Sequence, residues 1–365
     1  MKLIYIANVY LPGVWAHSIQ VMKMCEAFAA NGLEVELLTG LKRESDEKIF
    51  AYYNVRKKFK ITKISYFDLS DRGAGKLNFL LRTLSYLLFA KLYLIGKGAG
   101  ILYFRTHLAG LFFSNYYLEV HQLPEKIKYW HKLAFKKAKK LVVLTKYLKQ
   151  ELMAIGVSED KIIIAADAVD LAEFETNLTP EQARRRLSLP EKEKIIAYCG
   201  NFTFHKWKGV DVLLASLKFL KGVTCLLVGG YPAEIDKLKE LSGGAKLIIT
   251  GQKAHNEVPL YLQAADILIL PNKQGDKTSA YYTSPLKLFE YMASQKPVVA
   301  SDLPSLREIL SETNAVLVEP DNPKALAAGI KRVLEDGQLA GSLARQAYGD
   351  AQNYTWQKRA EKILT

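Results

Sequence analysis

Tyr281-Tyr-Thr-Ser-Pro-Leu-Lys-Leu-Phe-Glu-Tyr-Met-Ala293 runs directly into Ser-Gln-Lys-Pro-Val-Val-Ala-Ser-Asp302. Leu286, Phe289, Met292 and Ala293 recur at helical spacing, with the turn residues Thr283 and Ser284 just before them, so the pattern predicts a helix opening at Pro285. Proline suits a first helical position, where its missing N–H has no partner in any case, and Ser284 or Thr283 is expected to cap the amides behind it. The run Pro297 to Ser301 that follows reads as a buried strand. Such a helix tip attracts an anion through its exposed N–H groups and the positive end of its dipole. Glu290, further along, is placed to accept from hydroxyl groups, so the pair suits a phosphate with a diol. An ordinary capped helix feeding a buried strand fits the same residues.

The alternation extends across the chain. Short apolar runs at Leu3 to Asn8, Glu34 to Thr39, Ile101 to Thr106, Tyr116 to His121, Leu141 to Thr145 and Lys161 to Ala166 are separated by longer helical patterns. After a linker over Asp170 to Pro190 it restarts, with Ile195 to Cys199, Thr224 to Val228, Ala245 to Thr250, Ile267 to Leu270, Pro297 to Ser301 and Ala315 to Val318. The expected class is α/β: two facing Rossmann-like domains with parallel sheets, residues 1–175 and 176–352. Ligands of such sheets bind outside the carboxyl ends of the strands, so a substrate shared by facing halves is expected in a deep interdomain cleft.

Charge is unevenly spread. Residues 51–150 carry 20 Lys and Arg against 4 Asp and Glu, so the rest of a chain of net charge +14 sums to −2. A basic surface confined to one stretch favours an anionic partner docking there. Leu77 to Ile95 would nearly cross a bilayer, yet Arg82 and Lys91 lie inside it, so a long helix partly buried or lying on a membrane surface is expected. Glu125 to Lys140 is expected as a basic amphipathic helix with Ile127, Trp130, Ala134 and Ala138 on one stripe. A solvated face over a domain core fits either helix alone; together they suggest peripheral membrane contact through residues 51–150. Nucleic acid is not expected, because the aromatics sit in apolar runs rather than between the lysines. Cys25, Cys199 and Cys225 have no paired or metal spacing and read as reduced core residues of a cytoplasmic protein. The strand-like Lys2 to Ala7 opens the chain where a secretory signal would begin, so none is expected.

The signature stretch resembles that of the GT-B family of retaining, nucleotide-sugar-dependent glycosyltransferases called family 4, in which a Glu, seven residues and a second Glu open this helix. Glu290 matches the second; Tyr282 replaces the first. The resemblance implies a GT-B fold and a donor site built from Thr283, Ser284, Pro285 and Leu286 at the helix tip, Glu290 on the ribose, and Tyr282 and Thr283 near the sugar. Ala197-Tyr-Cys-Gly-Asn-Phe-Thr-Phe-His-Lys-Trp-Lys-Gly209 resembles the family's Gly-Arg and Lys-Gly pair that holds the donor diphosphate. Gly200 and Lys208-Gly209 match; Asn201 stands in place of Arg, leaving Lys206 or His205 to supply the charge. Gly229, Gly251 and Lys253 fall where relatives line the nucleotide. Gly13, in the loop Tyr10 to Gln20, is the single counterpart of a glycine pair near the donor phosphate, with Ser18 as a cap for the next helix; a plain connecting loop fits too.

In the first half, His121 ends a strand and resembles the family's histidine beside the transferred sugar, with Arg105 as a further acceptor-side residue; a structural histidine is the alternative. Glu119, two residues earlier on the same side of the strand, is expected to orient His121 through its other ring nitrogen. Asp167-Ala168 replaces the family's Asn-Gly, and Asp170 is assigned a hinge or capping role. Tyr354-Thr-Trp-Gln-Lys-Arg-Ala360 resembles the start of the helix by which relatives cross back to the first domain, giving a third segment, 353–365.

The implied function is transfer of a sugar from a UDP- or GDP-linked donor to a glycan or lipid-linked acceptor of the cell surface, with His121, Lys208 and Glu290 as catalytic residues. The expected location is the cytoplasm, at the inner face of the membrane. No Asp-x-Asp or His/Cys cluster is placed to hold a metal, so no cofactor is expected. A sugar-nucleotide epimerase of the same architecture, or a non-catalytic nucleotide-sugar-binding subunit, remain the alternatives.

Overall fold

The strand Lys194–Cys199 is apolar on both sides and buried from its second residue onward, which only a central parallel strand covered on both faces allows. The computed structural model describes every residue except 14, 69–74, 99, 203–205 and 232–234, and all but the side chains of 236 and 237 among the rest. Its residues divide into two compact units, 1–166 with 356–365, and 167–355.

In the first unit seven parallel strands lie in the order Lys60–Lys63, Glu34–Thr39, Lys2–Ile6, Ile101–Phe104, Tyr116–Val120, Ala138–Val143 and Ile162–Ile164. In the second, six parallel strands follow as Leu247–Ile249, Val223–Val228, Lys194–Cys199, Ile267–Leu270, Val298–Ser301 and Val316–Val318. Each sheet starts near its middle, grows one way, then crosses over and grows the other. That is the doubly wound order, and its switch point puts a crevice at the carboxyl ends of the first and fourth strands. In the first unit those are Lys2–Ile6 and Ile101–Phe104; in the second, Lys194–Cys199 and Ile267–Leu270.

Every expected strand is present, with ends shifted by a few residues. Lys60–Lys63 was not foreseen. Its sequence Lys-Ile-Thr-Lys has one buried position, Ile61, and it is an edge strand set by pairing with Glu34–Thr39. The short pair Tyr10–Leu11 and Leu41–Lys42 was also not foreseen. The basic helix is shorter than expected, Tyr129–Lys137, because Ala138–Lys140 enter the sheet beside Tyr116–Val120; Ile127 and Ala138 therefore lie outside it. The stretch Asp170 to Pro190 is not a bare linker. Thr179 and Gln182 form a capping box that starts helix Pro180–Arg186, and buried Arg184 donates from Nη2 to Asp266 at 2.8 Å.

The partition between Ala166 and Asp167 has a local cause. Inside the second unit the Asp167 N–H donates to Ser284 Oγ at 3.0 Å, and Val169 bridges to Thr355. Helix Trp356–Leu364 packs on helix Ala16–Ala30 of the first unit. Buried Arg359 fastens it there, donating to Ala166 O at 2.8 Å and to Glu119 Oε1 at 2.7 Å. Cys25, Cys199 and Cys225 are free and buried, as core residues.

Candidate functional site

In the second unit three strand ends are drawn together by glycines. Gly200 donates its N–H to Val228 O at 2.9 Å, and Gly229 pairs with Gly251 across a bridge. A side chain on Gly229, whose φ is 128°, would overlap the Gly200 carbonyl oxygen. At the switch point, Gly209 takes φ 70° as the N-cap of helix Val210–Leu217, and a Cβ there would overlap Pro271 O. Lys273 N–H donates to Trp207 O at 2.7 Å, so the Lys206–Lys208 turn is stitched to the loop after Ile267–Leu270. Backbone thus forms the floor where the fold places its ligand.

Two lysines stand on this floor. Lys208 is half-buried, with its Nζ 5.9 Å from the Trp207 ring centroid, and desolvation lowers its pKa. Lys287, in the first turn of helix Leu286–Ala293, donates from Nζ to Tyr198 Oη at 2.6 Å. Burial, then the charge of Lys208, push its pKa down to about 7. Lys206 is exposed, and His205 lies outside the described residues. Asn201, half-buried, follows Gly200, and its carbonyl accepts from Tyr198 Oη at 3.4 Å. The buried Asn272 Nδ2, one residue past Pro271, has no hydrogen-bond partner among the described residues. Lys253 Nζ sits 5.7 Å from the Tyr261 ring centroid.

The signature helix differs from expectation at its start. It runs Leu286–Ala293 with Pro285 as the N-cap, and neither Ser284 nor Thr283 caps it. Ser284 Oγ accepts from Asp167 N–H instead, and Thr283 N–H closes the turn Thr278–Tyr282 on Thr278 O at 2.9 Å. The helical amides at Leu286 and Lys287 are therefore not covered by a side-chain cap. Tyr282 is buried in that turn, its ring 5.4 Å from Lys277 Nζ. Glu290, nearly buried, accepts at Oε1 from His255 Nε2 at 2.9 Å, while His255 Nδ1 lies 3.9 Å from Glu173 Oε2. A histidine between two carboxylates is thus part of the Glu290 environment. Asp170 stands at the N-cap of the short helix Leu171–Phe174 that carries Glu173.

In the first unit Glu119 is a buried hub. Its Oε1 accepts from Gln20 Nε2 at 2.6 Å, Arg359 at 2.7 Å and His121 Nε2 at 2.9 Å; its Oε2 accepts from Tyr103 Oη at 2.8 Å and Tyr5 Oη at 3.4 Å. Burial alone would raise its pKa, but Arg359 and the His121 bond outweigh that and hold it well below the ordinary carboxylate range. The carboxylate only accepts, so its bond needs a proton on Nε2 of His121, while the Arg105 guanidinium, which only donates, competes for the same nitrogen. Arg105 Nη2 lies 3.0 Å from the same Nε2, and its Nη1 donates to Gln20 Oε1 and to His17 O. His17, though exposed, is held below the ordinary imidazole range, by desolvation of its ring and then by Arg105 and His121. Gly13 is occupied: its N–H donates to Tyr53 Oη at 2.6 Å, and its carbonyl accepts from the same hydroxyl at 2.9 Å. Ser18 is no cap; Trp15 is the N-cap of helix Ala16–Ala30, and the Ser18 hydroxyl donates to Tyr10 O at 3.5 Å.

The candidates therefore gather in two sets, Asn201, Lys208, Gly229, Gly251 and Pro285 to Glu290 in the second unit, and Arg105, Glu119 and His121 in the first. Lys287, His255, Glu173, His17, Gln20 and Arg359 were not foreseen. Among them only Lys287 left a signal in the sequence, as a cation placed in the first turn of a helix where anions are favoured.

Residues 193–336 match the family described as Glycosyl transferases group 1. That segment contains every candidate of the second unit. Over 236 residues, 61% of its length, the chain is 27% identical to a glycosyltransferase of Methanocaldococcus jannaschii, MJ1607, and over 182 residues, 48% of its length, 29% identical to the phosphatidyl-myo-inositol mannosyltransferase of Mycolicibacterium smegmatis. These alignments take in 58% and 45% of those relatives' own lengths. The chain is similar in structure to sucrose-phosphate synthase from Thermosynechococcus elongatus, with TM-score 0.78 at 21% identity, covering 100% of this chain and 97% of that one. It is likewise similar to Anabaena HepE solved with UDP and glucose, with TM-score 0.75 at 16% identity, covering 100% and 98%. The fold is that of GT-B glycosyltransferase structures: two Rossmann-like α/β domains with parallel sheets.

Among the described residues no group of three His, Cys, Asp or Glu could hold a metal ion, and no helix is long and apolar enough to cross a membrane.

Proposed function

We propose that this chain is a glycosyltransferase that moves a sugar from a UDP- or GDP-linked donor to a glycan or lipid-linked acceptor, with retention at the anomeric carbon and without a metal, in the synthesis of a cell-surface polysaccharide or glycoconjugate. The observation that carries the reading is the cationic, glycine-walled floor at the second unit's switch point, within the segment that matches the family. A leaving diphosphate is the largest charge such a reaction develops, and a metal-free site must meet it with protein cations and amides. Lys208 and the amides of Leu286 and Lys287 do this, and Glu290, held by His255, receives the ribose hydroxyls. On the acceptor side, Glu119 and Arg105 together hold the His121 ring in place through its Nε2. The names of the relatives and the UDP held by HepE favour the same substrate class.

The acceptor is membrane-borne in this reading. Helix Lys76–Tyr93 buries Tyr86, Leu87 and Ala90 but exposes Leu77, Leu80, Leu88 and Leu92, with Ile95 just past its end. This second apolar stripe belongs to the stretch that carries the excess positive charge, the combination that holds a protein at an anionic lipid surface. The enzyme works in the cytoplasm, at the inner face of the membrane.

A thermal-shift screen of the full chain against UDP-, GDP- and ADP-sugars, with and without EDTA, tests the donor reading. The expected result is stabilisation by one base class, unchanged by EDTA; no shift with any donor refutes it. The NMR coupling at the anomeric proton of the product then tests retention, and an epimerised donor formed without acceptor would establish the epimerase instead.

A further inference from the structure

The second unit contains an arrangement that the fold does not need. Lys287 is the second residue of its helix, so its ammonium sits at the end of the dipole that repels cations. Its Nζ donates to Tyr198 Oη at 2.6 Å and lies 3.9 Å from the centroid of that ring. Neither Lys287 nor Lys208 forms an ion pair among the described residues.

The groups facing Lys287 can be named. Strand Lys194–Cys199 brings Tyr198 and Cys199, both kept neutral by burial, which pushes the Cys199 thiol up to about 12. The turn before helix Val210–Leu217 brings Lys208, whose charge is repulsive, and Lys287's own helix, Leu286–Ala293, brings Glu290, whose carboxylate attracts without reaching contact. Desolvation and Lys208 win, so near neutrality the ammonium form is only partly populated. A cation half-discharged by its surroundings is complete only when an anion arrives.

Its position indicates which anion. A Cβ built on Gly200 would come within 2.7 Å of Lys287 Nζ, so the ammonium lies against the Gly200-Asn201 dipeptide, where the resemblance places Gly-Arg. We propose that Lys287 is the cation that takes the place of the guanidinium missing at Asn201, and that the site takes up a nucleoside diphosphate together with a proton. The proposal rests on the reading of this floor as the donor site. The proton comes from the buffer and stays on Lys287 Nζ; no covalent bond to the ligand is made or broken. Lys208 repels the new charge, but the diphosphate neutralises both ammonium groups at once.

The test is calorimetric titration of the full chain with UDP, GDP and ADP at about pH 8, in HEPES and in Tris, whose ionisation enthalpies differ. For the diphosphate that binds, the difference in apparent enthalpy is expected to report uptake of about half a proton or more. In Lys287→Met this uptake vanishes and affinity falls about 10- to 100-fold, while the melting temperature stays level or rises. Wild-type binding with no buffer dependence, or Lys287→Met binding within about threefold of wild type, overturns the role of Lys287 and leaves the donor site standing. Failure of the wild type to bind any of the three diphosphates overturns both.

Discussion

Replacing Glu119 by Gln tests whether the first unit is organised as described. The substitution keeps the shape of the side chain and removes its charge. Five donors converge on the carboxylate, from Tyr5, Gln20, Tyr103, His121 and Arg359. An amide offers one accepting oxygen and one NH2 group, so whichever way it turns, one cluster of donors meets a donor. The tyrosine hydroxyls can rotate to accept, which directs the NH2 group to them and leaves the oxygen opposite Arg359, uncharged. Removing one partner of a buried ion pair costs about 3–5 kcal/mol. Arg359 retains the carbonyls of Ala166 at 2.8 Å and Ala165 at 3.4 Å, which places the expected loss near the lower end, about 3 kcal/mol. Three of the four tryptophans, Trp15, Trp130 and Trp356, belong to the first unit, so urea unfolding followed by tryptophan fluorescence reports mainly on it. Arg359→Met and the double variant complete the cycle, with an expected coupling of about 2 kcal/mol. A loss below about 1 kcal/mol, or a coupling near zero, would refute the hub.

Three further outcomes follow from the same physics. Lys208→Met removes a cation that forms no ion pair among the described residues, so diphosphate affinity and turnover should fall about 100-fold while thermal stability stays level or rises, because Lys287 loses its repelling neighbour; a drop in melting temperature with intact binding would make Lys208 structural. Glu36 is pushed down to about 2: burial opposes this, but the hydroxyls of Thr62 and Tyr93 and the ammonium groups of Lys60 and Lys2 outweigh it. Its contribution is therefore present above the unfolded value of 4.5 and lost as pH falls toward 2, and Glu36→Gln should flatten the stability curve in that window while lowering stability at neutral pH. Leu80→Glu with Leu88→Glu, both on the exposed stripe, should abolish co-sedimentation with vesicles containing phosphatidylglycerol and leave folding intact; undiminished sedimentation would place membrane contact elsewhere.

Much of the fold was legible because both sheets are parallel and buried on both faces, so their strands stand out as short apolar runs such as Lys194–Cys199 and Ile267–Leu270. Lys60–Lys63 was hidden because an edge strand needs little apolar character, and the basic residues around it look like loop. The helix start at Leu286 misled because a serine before a proline is a good cap by local rules, yet tertiary contact took its hydroxyl for the Asp167 amide. The site was legible where motifs keep local order, as at Lys208-Gly209 and Glu290. It was not legible where partners are far apart in the chain: Arg359 reaches Glu119 across 240 residues, and His255 reaches Glu290 across 35. Lys287 lay inside the most closely read stretch, but its significance depends on Gly200 and Tyr198 arriving from another strand.

The most direct test is a crystal structure of the full chain soaked with the nucleoside diphosphate that stabilises it most. The account predicts phosphate oxygens within hydrogen-bond distance of Lys208 Nζ and of the amide nitrogens of Leu286 and Lys287, with the ribose on Glu290. A diphosphate bound in the first unit, or in the second unit away from these groups, would contradict it.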